Sequence, residues 1–213
     1  MSQALYDPLD KDPKFANYTS FIEAGYVMFL EGSGARVVPI LDTETDEETL
    51  NKLKHLDGVL FPGGSGDDYY KGKARYIWDR AIEFNDNGQF FPLWGTCLGF
   101  EYMGIFAADE GDDVLSSLTS ENVSLKVKFE VDPTFTKMFD GAGEDAKIYE
   151  EKDFAVNMHT YGIAPEKFKT DEGLSKMFTM TSTSHDDQHD STFAATIESP
   201  RYPFYATQFH PEK

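Results

Sequence analysis

The chain has 213 residues, 40% hydrophobic and 15% aromatic, with 38 acidic against 19 basic side chains and a formal net charge of -19. It is too apolar for a disordered chain and long enough for one buried core, and its charge opposes binding to phosphate backbones or anionic lipid heads, so neither nucleic acid nor a membrane is an expected partner. No window approaches eighteen uninterrupted apolar residues, and the single cysteine, Cys97, excludes an internal disulfide framework and any multi-cysteine metal site.

In chain order, the apolar residues Phe21, Ile22, Gly25, Met28 and Phe29 fall on one helical face, with Ser20 and Glu23 as a capping box and Gly32 and Gly34 as the stop. Arg36-Val37-Val38-Pro39-Ile40-Leu41 predicts a short buried strand. Thr45 and Glu48 repeat the capping-box pattern before a helix carrying Leu50, Leu53 and Leu56. Gly58-Val59-Leu60-Phe61 predicts another strand, ended by the turn Pro62-Gly63-Gly64. A helix is expected over about residues 73–84, with Ile77, Ala81 and Phe84 inward and Asn87-Gly88 as its close. Phe90-Phe91-Pro92-Leu93-Trp94 then runs into Gly95-Thr96-Cys97-Leu98-Gly99. Strands alternating with helices predict an α/β fold with a mainly parallel sheet flanked by helices. Beyond Gly111 the pattern turns β-rich. Residues 125–131 alternate with period two, and short strands are expected at 154–158, 177–183, 193–197 and 204–209. No repeat or long linker divides residues 1–213, which are expected to form a single domain.

A strand, then Gly-x-Cys-x-Gly, then an apolar helix (Phe100, Met103, Ile105, Phe106) is the cysteine form of a nucleophile elbow. The glycines relieve crowding at the turn, and a thiol at a helix N-terminus is expected to gain thiolate character. A nucleophile needs a base and the base an orienting partner. His210 ends the last expected strand, and Glu212, two residues on across the stiff Pro211, lies on the same side of an extended chain. An oxyanion hole would take one N–H from Leu98, directly after the nucleophile, and a second from Gly63 or Gly64 at the end of a neighbouring strand.

Leu60-Phe61-Pro62-Gly63-Gly64, Trp94-Gly95-Thr96-Cys97-Leu98-Gly99-Phe100-Glu101, Asn157-Met158-His159 and Gln208-Phe209-His210-Pro211-Glu212-Lys213 together resemble the gamma-glutamyl hydrolase family of the class I glutamine-amidotransferase-like superfamily. The similarity runs from about Tyr18 to the last residue. It implies a class I glutamine-amidotransferase-like fold, with Cys97 as nucleophile, His210 as general base and Glu212 as its orienting acid. It also implies oxyanion donors at Gly63 or Gly64 and Leu98, and substrate contacts from His159 and Glu101. The implied chemistry is cofactor-free hydrolysis of γ-glutamyl amides, typically in poly-γ-glutamylated folates, through a thioester. Glutamate at position 101, where glutaminase relatives commonly carry glutamine, favours this branch over an ammonia-delivering glutaminase subunit. A catalytically impaired γ-glutamyl-binding relative is the third reading. Relatives are usually lysosomal, vacuolar or secreted and often dimerise.

Against that family both ends look short. Residues 1–14 are polar and turn-like where an apolar first strand should open the sheet, no signal peptide is present, and Glu212 sits near a chain end expected to fray. Lys71, Lys73 and Arg75 are the nearest basic cluster to the Gly63-Gly64 loop and are expected to line the entrance for a polyanionic substrate. His185 and His189 are read as part of a solvated acidic loop rather than a metal site, and Asn17-Tyr18-Thr19 and Asn122-Val123-Ser124 as glycosylation sequons.

Overall fold

A computed structural model describes residues 1–4, 11–66 and 68–213. In chain order its elements are β1 (Gln3–Ala4), β2 (Ser20–Phe21), α1 (Ala24–Gly32), α2 (Asp46–Leu53), β3 (Val59–Phe61), α3 (Asp68–Asp86), β4 (Leu93–Thr96), α4 (Leu98–Ala107), β5 (Leu115–Leu125), β6 (Lys128–Phe129), α5 (Ile148–Glu151), β7 (Ala155–Ile163), α6 (Lys167–Thr170), α7 (Glu172–Met177), β8 (Thr179–Asp186), β9 (Ser191–Glu198) and β10 (Phe204–Thr207).

The main sheet has the order β3-β4-β10-β9-β8-β6. Only β3–β4 and β4–β10 are parallel; β10–β9, β9–β8 and β8–β6 are antiparallel. The α/β class stands, but the expected mainly parallel sheet is corrected to a mixed one. The cause is connection length. From β8 onward the chain returns by short turns, which can join only antiparallel neighbours, whereas α3 supplies the crossover that makes β3 and β4 parallel.

β1 pairs with β2, not with the main sheet. Along the free edge of β3, the Met1 nitrogen donates to Leu60 O at 3.2 Å and the Ser2 N–H to Ile40 O at 2.7 Å. Among the described residues, 36–41 join no ladder, contrary to the expected strand, and Val38 and Leu41 are exposed. Pro39 removes a donor from the middle of that run. A cleft of about 860 Å³, lined by Val37, Val38, Gly58, Val59 and Pro92, follows this edge.

The capping box at Thr45 is present: its hydroxyl accepts from Glu48 N–H at 3.2 Å, and the Glu48 carboxylate accepts from Thr45 N–H at 2.8 Å. The one at Ser20 is not, because Ser20 lies in β2 and Glu23 precedes α1 without a side-chain cap. In α3 the buried residues Tyr70, Lys73, Ala74, Ile77, Trp78 and Ala81 recur at three- and four-residue spacing and form the face laid on the core. Trp78 is the hub, with ring centroids 5.1 Å from Phe204 and 6.0 Å from both Phe106 and Phe178. α4 is buried from Gly99 through Gly104, as a helix held between sheet and helices must be. A separate antiparallel ribbon, β5–β7, carries register shifts between Ser117 and Ser120 and between Glu121 and Val123. It lies over the end of β4, where the Met158 carbonyl is 3.9 Å from the Cys97 sulfur.

Candidate active site

Cys97 stands between the end of β4 and the start of α4 with φ 51° and ψ -107°, a left-handed conformation that costs a β-carbon-bearing residue roughly 1–3 kcal/mol. The turn is clamped on both sides. Cys97 N–H donates to Thr207 O at 2.9 Å, tying it to β10, and Cys97 O accepts from Glu101 N–H at 2.9 Å, starting the helix. The two flanking glycines are required by packing. A β-carbon on Gly99 would meet Phe61 O at 2.2 Å, and one on Gly95 would meet the Gly99 backbone at 2.7 Å. The elbow read from the sequence is therefore present, and it works by close approach of three backbones.

His210 leaves the end of β10, and its N–H donates to Val156 O of β7 at 2.8 Å. Its Nδ1 is 2.7 Å from Glu212 Oε1. A carboxylate accepts only, so Nδ1 carries a hydrogen directed at Glu212; Nε2 is buried and has no hydrogen-bond partner. The Glu212 side chain is 1% exposed, and a β-carbon on Gly25 of α1 would come within 3.2 Å of its Cγ. Although it lies near the chain end, the Glu212 side chain is thus covered by α1. Gly63 sits at the centre, with its would-be β-carbon 2.7 Å from Tyr26 Oη, 2.8 Å from His210 Cε1 and 2.9 Å from Cys97 Cβ.

The backbone donors at the sulfur are the N–H groups of Leu98 and Gly64, both of which favour the thiolate. Gly64 has φ 135°, a conformation open to glycine. The Gly63 N–H instead donates to the Tyr26 hydroxyl at 2.8 Å. Of the two glycines left open by the sequence, Gly64 faces the Cys97 sulfur.

Burial decides the charges. It pushes the Cys97 thiol well above its ordinary value, helped by the nearby Glu101, and the Leu98 and Gly64 donors offset only part of this. The resting group is a thiol, and the expected thiolate at the helix N-terminus is corrected: desolvation outweighs the dipole. Burial also raises the Glu101 carboxyl to about 7, although Gln208 Nε2 donates to its Oε1 at 3.1 Å. His159, on β7 opposite Ser120, is lowered to about 4 by burial and by the His210 charge. Its ring stands edge-on to Phe193 at 4.5 Å. Backbone of Tyr161 and Leu118 lies near, but neither ring nitrogen completes a hydrogen bond, nor do Asn157 Oδ1 and Gln208 Oε1. These unpaired buried atoms are what a polar ligand would engage.

The basic cluster does not stand free at an entrance. Lys71 pairs with Asp112, the buried Lys73 with Asp46 at 2.8 Å, and Arg75 with Asp79 at 3.1 Å. His185 and His189 pair with Asp187 and Asp186 respectively, and no group of three or more His, Cys, Asp or Glu able to hold a metal occurs among the described residues. Sequence reasoning missed Tyr26 and Gln208. For Tyr26 the only signal was its place in a helix apolar all round, which hides the inward face; Met28, expected inward, is exposed. Gln208 had a plain one, being two residues before His210 on an extended chain.

The family model for glutamine amidotransferase class-I matches residues 17–213 and so takes in every site residue above. The chain belongs to the class-I glutamine amidotransferase family. Among curated relatives, the chain is 36% identical over 200 residues to gamma-glutamyl hydrolase of Homo sapiens, covering 91% of this chain and 61% of that one. It is 35% identical over 201 residues to gamma-glutamyl hydrolase B of Dictyostelium discoideum (91% and 57%) and 34% identical over 200 residues to gamma-glutamyl hydrolase 1 of Arabidopsis thaliana (92% and 56%). The chain therefore spans somewhat under two thirds of the length of these members.

Proposed function

We propose that the protein hydrolyses γ-glutamyl amide bonds, in poly-γ-glutamylated folates, through a thioester on Cys97. The observation that carries the reading is the strained, glycine-clamped Cys97 beside the buried His210–Glu212 pair. The naming of its relatives as gamma-glutamyl hydrolases supports the bond type.

Because the resting sulfur is protonated, the base acts first. His210 Nε2 takes the thiol proton as Sγ bonds to the γ-carbonyl carbon. The carbonyl oxygen becomes an oxyanion and receives the N–H groups of Leu98 and Gly64. On collapse the C–N bond breaks, and Nε2–H passes its proton to the leaving amine. Water, giving a proton to Nε2, then attacks the thioester carbon; the C–S bond breaks, sulfur recovers that proton from Nε2, and the γ-carboxylic acid departs, releasing its own proton to solvent as the carboxylate. Glu212 accepts from Nδ1–H throughout and offsets the imidazolium charge. Glu101 and His159 contact the glutamyl group. Glu101 is neutral below about 7 and His159 neutral above about 4, so both are uncharged at the pH of a lysosome or vacuole, the compartment this reading favours.

Release of glutamate from a pteroyl poly-γ-glutamate is the test. Cys97→Ala is expected to abolish it; hydrolysis at the rate of the unaltered protein would overturn the reading.

A further inference from the structure

The Tyr26 hydroxyl has three neighbours from three parts of the chain. Gly63 N–H donates to it at 2.8 Å, His210 Nδ1 lies 3.3 Å away, and the Glu212 carboxylate stands beside it. The phenol is 2% exposed, and burial together with the Glu212 charge keeps it un-ionised. The phenol oxygen accepts from Gly63 N–H and faces His210 Nδ1, its side-chain partner.

We infer that Tyr26 is a positioning residue, the joint that fixes the Gly63–Gly64 loop and the His210–Glu212 pair relative to each other around Cys97. The inference rests on the hydrolytic reading of Cys97 and His210. Through Gly63, Tyr26 sets where the next N–H, that of Gly64, points; through its contact with His210 Nδ1 it sets the plane in which the imidazole is held. The titratable groups facing the phenol are Cys97, His210 and Glu212. Removing its hydroxyl takes a partner from His210 Nδ1 and frees the Gly63–Gly64 loop, so that the thiolate loses the stabilisation of the Gly64 N–H.

Tyr26→Phe removes one oxygen and tests this in two ways. In steady-state hydrolysis of a pteroyl poly-γ-glutamate, kcat is expected to fall roughly tenfold to a hundredfold with KM within about threefold, as for a misplaced oxyanion donor. In iodoacetamide alkylation of Cys97, which needs no substrate, the pH at which the rate climbs is expected to move upward. If the unaltered protein does not hydrolyse the substrate, the hydrolase reading fails, and the alkylation profile still judges Tyr26. Should Tyr26→Phe not fold, Gly25→Ala disturbs the same joint from the opposite side, its methyl standing 3.2 Å from Glu212 Cγ, and is expected to reproduce the shift. Unmoved alkylation profiles and an unchanged kcat would overturn the inference.

Discussion

Nδ1 of His210 and Oε1 of Glu212 lie 2.7 Å apart with only Pro211 between the two residues in the chain, and both side chains are buried. A contact this local is set by the backbone: proline fixes one dihedral, and extended geometry returns the second residue to the same side. What makes it a usable pair is distant. α1 lays Gly25 and Tyr26 over the carboxylate and removes it from water, so that its charge is felt at the imidazole with little screening.

Glu212→Gln keeps the shape but lets Nδ1 face either an amide oxygen or an amide hydrogen. The imidazole then loses its fixed tautomer and the charge that offsets its cation. Hydrolysis is expected to fall by about 10²- to 10⁴-fold in kcat, with little change in thermal midpoint. Steady-state rates and a melting curve on the same sample check this; a loss in midpoint matching the loss in rate would mean that Glu212 acts through folding alone.

Gly99→Ala is expected to destabilise by about 1–3 kcal/mol or more, because its methyl would fall 2.2 Å from the backbone oxygen of Phe61, which has no rotamer with which to yield. Gly72→Ala, with nothing within 4 Å of the added carbon and a helical position in α3, is expected to be neutral or slightly stabilising. Urea unfolding of the two variants separates a packing requirement at the elbow from a general effect of replacing glycine.

Two buried groups give opposite pH slopes. Glu101 keeps its proton to about 7 when folded, against an ordinary value of 4.5; between these the folded state binds more protons, so stability falls as pH rises and is lost through about 7. His159 titrates at about 4 when folded against 6.5, so between these the unfolded state binds more protons, and stability falls as pH drops toward about 4. Their windows overlap from about 4.5 to 6.5 and largely cancel. Glu101→Gln is expected to leave a stability that climbs with pH across that range, and His159→Gln one that declines, each by at most about 1.4 kcal/mol per pH unit. Thermal midpoints at three pH values decide the signs.

The elements that set the elbow were legible from local sequence. Gly95, Cys97 and Gly99 between an apolar strand and an apolar helix admit few other structures, and the Thr45 box forms as its spacing requires. What escaped was decided by contacts between distant segments. Strand direction in the second half depends on turn lengths that period-two patterning does not report. Gly63 and Gly64 are chemically alike, and only the arrival of Tyr26, 37 residues earlier, assigns one to the joint and the other to the sulfur. The ionisation of Cys97 was misjudged because a helix N-terminus is visible in sequence, whereas the degree of burial that outweighs it is a property of the packed chain.

The backbone at Cys97 is one that glycine adopts freely and cysteine only under constraint. Cys97→Gly would release roughly 1–3 kcal/mol of that constraint and give back about 1 kcal/mol in lost contacts of the buried side chain. The Cys97→Gly protein is therefore expected to melt at or above the temperature of the unaltered one, which calorimetry would show directly. At this position folding and the proposed chemistry pull apart: the Cys97 side chain is carried at a standing thermodynamic loss, and the rest of the molecule, through Thr207, Phe61 and the two glycines, holds it there.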